Sequence, residues 1–295
     1  NTSSAPEITA NLGDVFSSCK LIKGSGTYSY EFTLKDAGKF YGFDTLYDKD
    51  GSFVLRVRRR LDLASSDPQK PLSGLKILLS PGHGGSDPGA SNPNHKHPNE
   101  NELNILVTLA LKDRLEELGA EVVTTRQNKN EYVSRAERQA IFSQTQYDLI
   151  LAIHHNSASS PSANGSMCIY FYPHSQAFAK EIAASISQAL PGRKNRGGNY
   201  GNYWETRYYH CPTIIIECGF MSNDEEYLWL SQNTDVTAER IAIGILNSLG
   251  KQMPEPEPEP EPESGPESGS SSGGTSSEPL AVMETAAPVY RKDML

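Results

Sequence analysis

"LKILLSPGHGGSDPGASNPNHKHPNENELNILVTLALKDRLEELGAEVVTT", from Leu75 to Thr125, is the stretch on which the fold turns. It opens on a short apolar run, Leu75–Ser80, of the kind that forms a strand buried on both faces. A polar loop rich in Gly, Pro and Asn comes next. From Glu102 the apolar residues Leu103, Leu106, Val107, Ala110, Leu111, Leu115 and Leu118 recur at helical spacing, and Gly119 ends the run. "AEVVTT" then returns to strand character. Strand, helix and strand in this order predict a βαβ unit, whose strands lie parallel.

The alternation continues downstream. "SRAERQAIFSQ" predicts a helix capped by Ser134, and "YDLILAIHHN" a strand. "SMCIYFY" is a strand, "SQAFAKEIAASISQALPG" a helix and "CPTIIIECGF" a strand, and "DVTAERIAIGILNSLG" is a helix stopped at Gly250. The expected class is α/β: a mainly parallel twisted sheet covered by helices on both faces. A small β-rich segment, residues 1–70, precedes it, with strands at "TYSYEFTL" and "SFVLRVRRR" and an Asp-Gly turn between them. A linker closes at 71–74, and the main α/β domain is expected over 75–250. Residues 251–279 form a Pro-Glu and Ser-Gly spacer expected to be disordered. Residues 280–295 turn apolar again, as the start of a further truncated module or a tail.

The chain has 295 residues, room for one large core and a small companion. Its net charge of −9 is concentrated in the spacer, where Glu255, Glu257, Glu259, Glu261, Glu263, Glu267 and Glu278 succeed one another. The remainder is close to neutral and carries no basic footprint for nucleic acid. No apolar run is long enough to cross a membrane. The start lacks both Met and a leader, so a processed or excised piece is expected, and the missing leader says nothing about compartment. The 4 cysteines form no CxxC pair, so neither a zinc finger nor a thioredoxin motif is supported. Cys168 and Cys218 read as small buried hydrophobes, and a Cys168–Cys211 disulfide stays open.

Three apolar runs each deliver a reactive side chain to one address. His83 follows Leu75–Leu79, His154 follows Leu149–Ile153, and Glu217 follows Thr213–Ile216. Ligands of open α/β sheets bind outside the carboxyl ends of the strands. Glu100 joins them, just ahead of the helix that returns from the first strand. Two imidazoles and a carboxylate suit a catalytic zinc, and a further carboxylate suits a general base. Glu217 ends an apolar run, where desolvation raises a carboxyl pKa. Each residue has a second reading. His83 could be a loop histidine among glycines, Glu100 and Glu102 could serve a helix N-terminus, and Glu217 could be half of a buried ion pair. Side chains alternate along a strand, so one of His154 and His155 faces the core. The conspicuous His95 and His97 sit among Asn and Pro with no strand to position them.

In order and spacing, "ILLSPGHGGSDPGA", "ENELNILVTLALKDRLEELGAEVVTTR", "DLILAIHHNSA" and "PTIIIECGFMSNDEE" resemble the zinc-dependent N-acetylmuramoyl-L-alanine amidases of bacterial cell walls, of the amidase_3 type. The resemblance spans about Leu75 to Gly250. It implies one zinc ion held by His83, Glu100 and His154, with Glu217 as the catalytic base. It also implies that Asn156, Arg196 and Arg207 contact substrate. The implied reaction is cleavage of the amide between the lactyl group of N-acetylmuramic acid and L-alanine in peptidoglycan. A wall-binding module on an amidase scaffold and a zinc peptidase acting on the stem peptide are the alternatives. The implied setting is extracellular, at the bacterial wall or surface, and the flanking segments suggest, by analogy, a monomeric catalytic domain inside a multidomain protein. Ser80 stands where the family often has Asp, and His155 where it often has Ala. The segment between His154 and Ser175 lacks the long helical insertion that covers the site in some members, which predicts an open cleft.

Overall fold

The computed structural model describes residues 12–255 except 14, 60–62, 64–66 and 190–191. The expected spacer beyond Glu255, the module at 280–295 and, within the β-rich segment, residues 1–11, 14, 60–62 and 64–66 fall outside the described residues. The N-terminal segment forms two hairpins. β1 (Phe16–Lys23) pairs antiparallel with β2 (Tyr28–Leu34), and β3 (Phe40–Tyr47) with β4 (Phe53–Arg59). The Asp-Gly turn closes the second hairpin, with Gly51 at φ 83° and Asp48 N–H donating to Ser52 O at 2.8 Å. Contacts with Tyr147 and Tyr209 fix this hairpin in place. Phe43 N–H donates to Tyr209 O at 2.8 Å, and the two rings stack 4.7 Å apart. Arg58 donates to Tyr147 O at 2.8 Å. Gly42 permits the approach, because a Cβ there would meet the His210 carbonyl carbon at 2.6 Å.

The remaining elements are β5 (Lys76–Pro81), α1 (Glu100–Glu117), β6 (Glu121–Thr124), α2 (Arg135–Phe142), β7 (Leu149–Asn156), β8 (Ser166–Tyr170), α3 (Gln176–Ser187), β9 (Asn195–Tyr200), β10 (Thr213–Phe220), α4 (Asp224–Gln232) and α5 (Thr234–Leu249). The sheet order is β6-β5-β7-β10-β8-β9. The first four of these run parallel, and β8 and β9 run the other way. The sheet is therefore mostly parallel, as the alternation of strands and helices predicts.

Period-two side-chain alternation splits the core into two layers. Ile77, Leu79, Leu151, Ile153, Ile214 and Ile216 face α1, α3 and α5, and all six side chains are fully buried. Leu78, Ile150, Ala152 and Ile215 face the other way, against Phe142 of α2 and Tyr147. Helices cover both faces, unequally. Ser134 caps α2 by accepting from Glu137 N–H at 3.3 Å, and Gly250 ends α5 at φ 68°. The described cysteines are all free, and Cys168, Cys211 and Cys218 are buried.

Several elements differ from expectation: β1, β3 and α4 are not predicted from the sequence, and the two expected N-terminal strands, β2 and β4, pair with β1 and β3 and not with each other. α1 begins at Glu100, not Glu102, so Glu100 stands in its first turn. "NRGGNY" pairs with β8 as the edge strand β9, since its glycines give no apolar alternation from which a strand could be read.

Candidate metal centre

Parallel strands β5, β7 and β10 end at the same edge, and their register fixes what meets there. Pro81 lies beside Ile153, and Glu217 lies beside His154. His83 follows β5 by two residues in a tight turn with φ 57°, a left-handed conformation unusual for a residue with a Cβ. Two buried guanidiniums hold that turn. Arg126 donates to Gly82 O at 3.0 Å and to Asn101 O at 2.7 Å. Arg138 donates to Pro81 O at 2.8 Å and also to His83 O.

From the facing side, α1 presents Glu100 and, one turn on, Asn104. Glu100 Oε1 lies 3.3 Å from His83 Nε2 and 2.9 Å from His154 Nδ1. Its other oxygen accepts from Ala90 N–H at 2.8 Å. His83, Glu100 and His154 each offer a ligand atom within 4.8 Å of the others, the one such group of three among the described residues. Glycines make room for it. A Cβ at Gly82 would collide with the His154 ring, and one at Gly89 would lie 2.6 Å from both Glu100 Oε2 and His83 Cδ2.

Burial and charge oppose each other here. Burial alone would raise the Glu100 carboxyl pKa, but the His154 and His83 rings outweigh it and hold it far below the usual range. Burial alone would lower His154, yet Glu205 and Glu100 raise it well above an ordinary imidazole. Glu217 is different. Burial pushes it up to about 7, with Glu100 and Glu205 adding and His154 opposing. Its Oε2 is buried without a hydrogen-bond partner. It is not half of an ion pair among the described residues.

The second readings separate along the same lines. Glu102, not Glu100, serves the helix start: its carboxylate accepts from Asn99 N–H at 2.8 Å. His155 is the buried histidine of the pair, its Nδ1 2.8 Å from Asn104 Oδ1, and burial lowers its pKa to about 3. His95 stacks on Tyr227 at 5.0 Å, and His97 pairs with Glu102 at 2.9 Å, so neither joins the group. Ser80 is fully buried and accepts from Thr125 at 3.1 Å. Residues 157–165, between β7 and β8, contain no helix.

Asn156 ends β7, where its side chain accepts from Ser157 N–H at 2.7 Å. Arg196 is exposed, lies over the Phe220 ring at 4.7 Å and donates to Asn164 O at 2.7 Å. Arg207 is exposed and donates to Asn202 O at 3.4 Å. None of these three side chains hydrogen-bonds to His83, Glu100 or His154.

Sequence reading missed two carboxylates. Asp87 Oδ2 lies 2.9 Å from His83 Nδ1, and Glu205 Oε2 lies 3.5 Å from His154 Nε2. Asp87 carries a signal, four residues after His83 in one loop. Glu205 lies in the aromatic-rich stretch just before "PTIIIECGF", where nothing in the residue spacing singles out a carboxylate.

Among known proteins, the chain is similar to the probable cell wall amidase LytH of Staphylococcus saprophyticus, 31% identical over 212 residues and covering 70% of each chain. The protein of the same name from Staphylococcus aureus is 30% identical over 188 residues, covering 63% of this chain and 62% of the relative. The solved N-acetylmuramoyl-L-alanine amidase AmiC2 of Nostoc punctiforme superposes with a TM-score of 0.56 at 29% identity, over 61% of this chain and 99% of that one. The family model described as Amidase_3, N-acetylmuramoyl-L-alanine amidase, matches residues 77–247. That span exceeds half the chain and runs from the first strand of the large sheet into its last helix, so the chain belongs to the Amidase_3 family of N-acetylmuramoyl-L-alanine amidases.

Proposed function

We propose that this chain is a zinc-dependent amidase that cleaves peptidoglycan between the lactyl group of N-acetylmuramic acid and L-alanine. The observation that carries the reading is the convergence of His83, Glu100 and His154 at the strand edge where β10 carries Glu217. Two imidazoles and one carboxylate are a donor set of catalytic zinc sites, which keep a further position open. Zinc supplies Lewis acidity when bound, polarising the scissile carbonyl and making water more acidic.

Glu217 is the assigned general base. As a carboxylate, it accepts a proton from attacking water at Oε2 and returns it to the departing amine; burial, which raises its pKa, makes it a stronger base than an exposed glutamate. Arg126 and Arg138 keep the His83 turn in place. Asn156, Arg196 and Arg207 are assigned to the substrate, and the exposed guanidiniums suit stem-peptide carboxylates.

We place the protein at the bacterial wall, outside the cell, with a monomeric catalytic domain inside a larger multidomain protein. No helix among the described residues is long and apolar enough to cross a membrane. Digestion of defined muropeptides, with zinc and with chelator, tests the assignment. Zinc-dependent release of the intact stem peptide, with a free L-alanine amine, is expected. Cleavage inside the stem would identify a peptidase, and binding without product a wall-binding module.

A further inference from the structure

The two imidazoles are set in the same way. Each turns one nitrogen to Glu100 Oε1: Nε2 of His83 at 3.3 Å and Nδ1 of His154 at 2.9 Å. Each turns its other nitrogen to a second carboxylate. For His83 this is Asp87 at 2.9 Å, and for His154 it is Glu205 at 3.5 Å. Glu205 is not part of the group whose ligand atoms lie within 4.8 Å of one another. It is 7% exposed, and a carboxylate is costly to bury unless something gains from its charge.

The backbone that carries Glu205 is locked. Trp204 packs on Phe142 at 5.5 Å beneath the Arg135 guanidinium, 5.6 Å from the indole. Thr206 Oγ1 donates to Gly201 O at 2.9 Å and accepts from Tyr203 N–H at 3.3 Å. Trp204 and Thr206 thus hold the turn from both sides of Glu205. A neutral imidazole has one N–H and one lone pair, and a carboxylate at one nitrogen fixes the proton there.

We propose that Glu205 is the positioning residue of His154: it holds the proton on Nε2 and leaves Nδ1 as the atom that binds the metal, as Asp87 does for His83 with the nitrogens exchanged. This rests on the zinc reading above. It predicts that the two histidines bind through different ring atoms, and that Glu205 acts on metal affinity without touching the metal.

The test is zinc affinity, measured by competition with a chromophoric chelator, for wild type, Glu205→Ala, Glu205→Gln and Asp87→Ala. Nitrogen-15 spectra of histidine-labelled, zinc-loaded wild type report which ring atom is protonated. Glu205→Ala and Asp87→Ala are each expected to weaken zinc binding ~10–100-fold. Glu205→Gln, whose amide oxygen accepts the same proton, should lose less, and His154 should show an Nε2–H tautomer. Undiminished zinc affinity in Glu205→Ala, equal losses in the Ala and Gln variants, or His154 protonated at Nδ1 would each overturn the proposal. If Glu205→Ala does not fold, the Gln variant and the wild-type spectra decide. A wild type that takes up no zinc would overturn the zinc reading itself. Zinc uptake with an unaffected Glu205→Ala would remove only Glu205.

Discussion

Glu217→Gln separates the burial of a carboxyl from the burial of its charge, because Gln fills nearly the same volume and cannot ionise. In the metal-free protein, burial pushes Glu217 from 4.5 up to about 7, with Glu100 and Glu205 adding and His154 opposing. Between those values the native state keeps a proton that the unfolded chain has released. Stability therefore falls as pH rises through this window. A displacement of this size corresponds to on the order of 3 kcal/mol. None of that loss applies well below the unfolded value, and all of it applies above the folded one. Urea titrations of chelated wild type and variant, from about pH 4 to about pH 8, measure it directly. Taking the difference reports Glu217 together with its coupling to His154, Glu100 and Glu205, since those groups titrate in both proteins. The stability of Glu217→Gln relative to wild type is expected to rise by about 3 kcal/mol across the window and then level off. A difference that stays flat with pH would show that Glu217 is not desolvated, and the physical case for it as base would go with it. The zinc-loaded variant should bind metal and lose turnover.

His83→Ala should lose zinc, by metal analysis, together with wall lysis, and stoichiometric zinc in the variant would count against the ligand set. Gly89→Ala is expected to cost roughly 1 kcal/mol for its left-handed backbone and to weaken zinc binding ~10-fold or more, because its Cβ would press on Glu100 and His83 at 2.6 Å. Unchanged metal affinity would show that the Gly89 loop yields. Arg193→Met strands Glu226 in a pair whose side chains are 0% and 3% exposed, and should destabilise by roughly 3–5 kcal/mol in urea titration. Leu111→Ala, at a fully buried position between α1 and the sheet, should cost about 2–5 kcal/mol with the unfolding slope unchanged.

How much of this the sequence disclosed depends on the range of the interaction. The βαβ grammar of Leu75–Thr125 is local, and the parallel pairing of β5 with β6 follows from it. The addresses of His83, His154 and Glu217 were legible for the same reason, since a residue just after a buried run lies at a strand end. What stayed hidden is non-local. Arg126 and Arg138 look like ordinary surface charges of a strand end and an amphipathic helix. Only the assembled sheet brings them to the carbonyls of Pro81, Gly82 and His83. Strand β9 was hidden differently: "NRGGNY" has no side-chain pattern to betray it, and its pairing is a property of the backbone of β8.

The pair His154–His155 shows what spacing alone could not decide. Alternation requires one of two neighbours to point inward, but both are largely buried, and both meet the same helix. Glu100 and Asn104 lie one turn apart on α1, and each takes one ring: Glu100 at 2.9 Å from His154, Asn104 at 2.8 Å from His155. The partner sets the role. Beside a carboxylate, His154 becomes a basic, charge-coupled group with a second carboxylate behind it. His155, beside a neutral amide, is pushed down to about 3 by burial and stays uncharged. The same Asn104 amide donates to Gly82 O at 3.2 Å, so His155 and Asn104 brace the His83 turn from beneath. A histidine that binds no metal can thus still belong to the metal centre, through the helix residue it shares with the loop that carries a ligand.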